Sequence, residues 1–159
     1  MKNTARALVA LVGLTFVAAL ACRGAQTSAP LTYRLTVKPG DITLPVKPAT
    51  GSTAQQEETI TFTVLNSSNT DYEGTAPSCQ TFDIEIIWLA PAGEKPVWKW
   101  SQGQMFCQAV TTVIIPAGLD WHQTVKWDFA AGDVKPGKYR VGATFIPSNS
   151  EAAAGFEIH

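Results

Sequence analysis

Apolar and polar residues alternate one by one along most of this chain, and a period of two confines it to β-strands. In LTYRLTV (31–37), Tyr33, Leu35 and Val37 face away from Thr32, Arg34 and Thr36. ETITFTVLN (58–66) sets Ile60, Phe62 and Val64 against Thr59, Thr61 and Thr63, and TFDIEIIWL (81–89) sets Phe82, Ile84, Ile86 and Trp88 against Asp83 and Glu85. Further strand-like runs cover 97–100, 108–115, 121–129, 138–146 and 152–158. Between them lie Pro39-Gly40, Pro91-Ala92-Gly93, Pro116-Ala117-Gly118, Pro136-Gly137 and Pro147-Ser148-Asn149, all turn chemistry. Beyond residue 21 no stretch shows a helical period. Seven or eight short strands at this spacing predict an all-β, immunoglobulin-like antiparallel sandwich over residues 31–159.

The N-terminus follows different rules. Lys2 and Arg6 precede fifteen uncharged residues, Ala7 to Ala21, and then Cys22. That is the layout of a secretory signal peptide over 1–21, too short for the roughly 20 residues of a membrane-spanning helix. Ala19-Leu20-Ala21-Cys22 resembles a bacterial lipobox, with Ala19 in place of the usual Leu. Cys22 is therefore expected to be lipidated, and the small polar run through Pro30 to be a flexible tether from a cell-envelope membrane. The alternative is an ordinary signal cut beside a coincidental cysteine. Without the leader 138 residues remain, one domain in size, with a formal charge of −3. No basic run survives in them, which excludes nucleic acid as a partner and leaves lipid on Cys22 as the expected membrane contact. The oligomeric state is left open.

Setting Cys22 aside leaves Cys79 and Cys107. In an exported chain an even pair reads as a disulfide, worth about 3.5 kcal/mol for a loop of this length on the chain-entropy model. A metal site is disfavoured: there is no Cys-x-x-Cys, and His122 and His159 lie in unrelated segments. Neither metal nor cofactor is expected.

Five segments in order carry a further likeness: TFTVLNSS, SCQTFDIEI, VWKWSQGQMFCQAV, IPAGLDWHQTVKW and VKPGKYRVGATF. From about Thr59 to Phe145 the chain resembles the intracellular proteinase inhibitor family, the BsuPI-type domain. Its members tend to show a Ser-Gly-Gln-x-Tyr/Phe-Asp-Phe strand, a Val-Trp-Arg-Trp-Ser segment followed by Phe-x-Gln, and a Pro-Gly-x-Tyr turn. The resemblance implies an immunoglobulin-like sandwich and, as founding activity, inhibition of serine proteases. Two departures stand out. Cys79 replaces the family's Gly, and Cys107 also precedes a glutamine, a paired change that a bridge between neighbouring elements would leave. An export signal also sits oddly with an intracellular name, so the physiological target does not carry over.

Catalysis finds little support. No Gly-x-Ser-x-Gly elbow, His-Glu-x-x-His or phosphate loop is present. Asp120 and His122 sit at i and i+2 on one strand face, a pattern that marks a solvated edge more often than a relay. A non-catalytic binder, inhibiting a serine protease through end loops, is the favoured reading. NSSNTDYEGTAPS (66–78) and SQGQM (101–105) would be its contact loops, with Tyr72 and Met105 as apolar tips for a partner to bury. The alternative is a carbohydrate-binding or structural envelope module using surface aromatics. For it Trp98 and Trp100, on one face of their strand, are the leading candidates, although core packing accounts for them more simply.

Overall fold

The computed structural model describes residues 30–44 and 55–159. The leader, Cys22 and the tether as far as Ala29 lie outside the described residues. Among the described residues ten strands form: β1 (Leu31–Lys38), β2 (Asp41–Ile42), β3 (Gln55–Asn66), β4 (Tyr72–Ala76), β5 (Phe82–Ala90), β6 (Gly93–Lys99), β7 (Thr111–Ile115), β8 (Asp120–Ala130), β9 (Gly137–Phe145) and β10 (Ser150–Ile158). A 3₁₀ turn, Ile146–Ser148, joins the last two. None of the described helical segments is long and apolar enough to cross a membrane.

The strands fill one sheet in the order β1-β3-β8, a second in the order β2-β10-β9-β5-β6, and a separate β4-β7 pair. Alternation decides which side chains meet. On β3, Ile60, Phe62 and Val64 are closed off from solvent, and their partners across the sandwich are Ile84 and Ile86 of β5 and Tyr139, Val141, Ala143 and Phe145 of β9. With Val125, Trp127 and Phe129 of β8 these form one continuous core. It is rich in rings. Phe62, Phe82, Trp121 and Phe145 meet at one end, with centroids 5.0 to 6.1 Å apart. Trp127, Phe129, Tyr139 and Phe156 meet at the other.

Connectivity makes the sandwich immunoglobulin-like. Strands β1, β3 and β8 take the places of A, B and E, and β5, β9 and β10 those of C, F and G, with β6 added beside C. The Tyr139 hydroxyl supplies an independent sign: it donates to the Lys135 carbonyl at 2.6 Å and accepts from the Lys135 N–H at 3.1 Å. A tyrosine near the start of strand F, bonded to backbone a few residues upstream, is the tyrosine corner of such domains. The Pro-Gly-x-Tyr motif now has a physical meaning. Gly137 adopts φ +134°, where a side chain would be strained, and a Cβ there would crowd Trp88 Nε1 at 3.1 Å.

Three features differ from the sequence reading. The eight anticipated strands all form, but β2 and β4 join them. The short β2 runs parallel to β10, pairing Asp41 with Glu157 and Ile42 with Ile158, because the chain crosses between sheets at Lys38–Gly40. The larger correction concerns 66–78, expected to be one contact loop. Tyr72–Ala76 is instead a strand, antiparallel to β7 from Tyr72↔Ile115 to Ala76↔Thr111. Tyr72 is 7% exposed, and its ring lies 6.1 Å from that of Phe145. It is a core residue and not a loop tip, which removes it as a partner contact. Gly74 permits this fold-back, since a Cβ there would collide with the Tyr72 ring and Pro147.

Candidate functional site

One end of the sandwich concentrates the sequence-predicted residues, and the β5–β6 hairpin places them. Pairing runs Glu85↔Lys99 and Ile86↔Trp98, then slips at a bulge so that Ile87 faces Pro96. Above it the Trp100 N–H donates to the Ile84 carbonyl at 2.8 Å, which sets Ser101 beside Asp83. The Asp83 carboxylate accepts from the Ser101 N–H at 3.2 Å and the Ser101 hydroxyl at 2.7 Å, and from its neighbour's Ile84 N–H at 2.9 Å. Lys99 Nζ adds an ion pair at 3.2 Å. Sequence alternation reads Asp83 as a plain solvent-facing acid. The structure makes it the clasp of the loop, and projecting the hairpin register past Lys99 to Ser101 would have found it.

From that clasp the chain turns tightly. Gln102 and Gln104 N–H groups donate to the Lys99 and Ser101 carbonyls, both at 3.1 Å, and Gly103 takes φ +79° at the corner. The Gln104 side chain reaches back to the Trp100 carbonyl at 3.2 Å. Phe106 then returns to the body, with its ring 5.7 Å from Trp100, itself stacked at 4.1 Å on Phe82 of the core. Next, Cys107 is joined to Cys79 by a disulfide, with Cα atoms 5.2 Å apart, and the Cys79 N–H donates to the Cys107 carbonyl at 3.2 Å. The bridge expected from cysteine arithmetic is therefore present, and it ties the segment before β5 to the loop after β6.

Between these two anchors Met105 is 100% exposed. It stands on the rim of a shallow concavity whose walls are Pro77, Ser78, Gln80, Gln104, Phe106 and Gln108. Trp98 and Trp100 are half-buried and pack against the core. All the tryptophans are at least partly covered, and no exposed row of rings exists among the described residues.

Asn66 braces the same end from below. Fully buried, its Nδ2 donates to the Thr70 carbonyl at 2.8 Å and the Ile115 carbonyl at 2.9 Å, while Oδ1 accepts from Ser68 N–H and hydroxyl at 3.2 and 2.7 Å. The Asn66-Ser67-Ser68 sequon is thus a structural knot whose amide is not free for glycosylation. Asp71 extends the network by accepting from the Ala117 N–H at 2.9 Å. Burial pushes the Tyr72 phenol above its ordinary pKa here, and the same cause raises Tyr139 at the far end.

Asp120 and His122 do lie side by side, Oδ2 to Nδ1 at 3.4 Å, but both side chains are exposed, in keeping with a solvated edge. Among the described residues no cluster of three His, Cys, Asp or Glu side chains could hold a metal ion.

The family model for BsuPI, the intracellular proteinase inhibitor, matches residues 47–150, a span that includes the hairpin, both bridged cysteines and the tyrosine corner. No curated protein matches the chain. With a match over most of its length, this chain belongs to the BsuPI intracellular proteinase inhibitor family.

Proposed function

We propose that the protein is a non-catalytic binder of inhibitor type, which blocks a serine protease with the Ser101–Val110 loop and the adjoining Pro77–Thr81 segment. One observation carries this reading. The loop is clasped by Asp83, pinned by Phe106 and bridged by Cys107, yet the residue held between these anchors, Met105, packs against nothing. Such preorganisation lowers the ordering cost of binding and resists distortion by a protease. The family supports a proteinase-inhibitor-like module. The wall of neutral glutamines and serine around the loop would complement the polar rim of a cleft.

The purified protein should inhibit at least one enzyme in a panel of serine proteases, at near-equimolar amounts and without being consumed. Full residual activity across the panel would overturn the proposal. We place the domain on a membrane surface through lipid on Cys22. Cys22→Ser should then release it to the soluble fraction with its precursor uncut, and a wild-type protein that is already soluble and starts at another residue would refute the anchor.

A further inference from the structure

The Met105 side chain, the most exposed large apolar group of the protein's described residues, has no structural task in the braced loop. Its neighbours on both sides have one: Gln104 bonds the Trp100 carbonyl, and Phe106 packs on the Trp100 ring. A fully exposed thioether contributes nothing to the core, and the restraints on either side of it hold it out. The chemistry around it is uniform. Neither Pro77–Thr81 nor Ser101–Val110 contains a charged residue, and Val110, at 71% exposed, adds a second apolar group where the loop leaves. A proteinase pocket floored by an acid would require a cation at this position, and a narrow one would exclude a chain of this length. An apolar slot suits an unbranched, polarisable side chain.

Resting on the inhibitor reading above, we infer that Met105 is the residue that enters the partner's specificity pocket, and that this pocket is apolar. The partner is then an endopeptidase that prefers large hydrophobic side chains, not one that selects Lys or Arg. The same placement makes binding sensitive to oxidation. Met105 is the only methionine in residues 22–159, and it is open to solvent. A peroxide transfers one oxygen to its sulfur: the O–O bond breaks, an S–O bond forms, the sulfur gives up two electrons, and the other peroxide oxygen leaves as water. The polar sulfoxide no longer suits an apolar slot.

The test measures inhibition of a chymotrypsin-like and a trypsin-like protease by the full protein and three variants. The native protein should inhibit the former. Met105→Ala should weaken this about 30-fold, the effect of losing one buried apolar side chain. Met105→Leu should recover most of the loss and make inhibition indifferent to hydrogen peroxide, whereas peroxide should weaken the native protein at least about tenfold. Met105→Lys should move inhibition to the trypsin-like enzyme. Thermal unfolding should be the same in all of them, because the side chain touches nothing. If the native protein inhibits but neither Met105→Ala nor peroxide changes its strength, the inference is wrong and the inhibitor reading stands. If the native protein inhibits no serine protease, the inhibitor reading falls and takes this inference with it.

Discussion

Asn66 and Glu58 stand towards opposite ends of β3, both turned inward and both sealed from solvent, yet they are treated in opposite ways. The Asn66 side chain makes four hydrogen bonds that gather Thr70, Ile115 and Ser68 around it. Glu58 completes none: among the described residues neither carboxylate oxygen has a hydrogen-bond partner, although the Gly40 N–H lies close enough to offset part of its burial. Burial first, and then the Asp41 charge, raise its pKa above the ordinary 4.5. The difference separates the two ends of the molecule. At the Asn66 end, polar bonds and a disulfide lock segments that carry an exposed loop. At the Glu58 end the chain closes on rings and the tyrosine corner, and an unsatisfied acid is tolerated. Rigidity is concentrated where residues are displayed.

That contrast can be broken from either side. The largest effect is expected for Asn66→Ala, which strands the buried Ile115 carbonyl, removes one of the two donors to the Thr70 carbonyl and frees the Ser68 turn. It should cost about 4 kcal/mol in denaturant unfolding, near the upper range for one substitution. Removing the bridge with Cys79→Ala/Cys107→Ala should cost about 3.5 kcal/mol on the loop-entropy estimate, and should also weaken protease inhibition. If the double variant inhibited as well as the native protein, the bridge would be a staple for the fold alone.

At the other end the effects shrink. Tyr139→Phe keeps the ring packing and loses only the corner bonds to Lys135, so it should cost about 1.5 kcal/mol and leave inhibition unchanged. Glu58→Gln tests the orphan acid. With its folded pKa raised, the folded state holds the proton more tightly than the unfolded chain. The contribution is therefore present below about pH 4.5 and is lost as pH rises from there through the folded value. Glu58→Gln should flatten that slope, so that the variant gains on the native protein with rising pH. The side chain sits near the end of its strand, so the gain at neutral pH should be the smallest of these effects. A native protein whose unfolding shows no such slope would mean that Glu58 is solvated or paired.

Legibility in the sequence divides along similar lines. The strands of the core were readable because local alternation and burial agree: Ile60, Phe62 and Val64 point in, and the threonines between them point out. The same rule applied one step earlier turns Glu58 inward, an implication easily overlooked because an acid is assumed to be wet. The bridge was readable because an even pair of cysteines, in a chain expected to be exported, leaves few options. Tyr72 was misread for a physical reason. DYEGT has the composition of a turn, and only its pairing with Thr111–Ile115, far along the chain, makes it a strand. Asp83 was missed likewise, since its clasp on Ser101 is a product of hairpin register and leaves no signal in its own neighbours. Local pattern reports the sheets; long-range pairing builds the site.

The central claim is that the bridged end is the contact surface and the corner end is not. Hydrogen–deuterium exchange of the protein, alone and bound to a protease of the inhibited class with its nucleophilic serine replaced, tests it most directly. The account expects added protection in peptides covering 77–81 and 101–110, with those covering 88–95 and 130–137 unchanged. Protection at 88–95 and 130–137, with 101–110 unaltered, would contradict it.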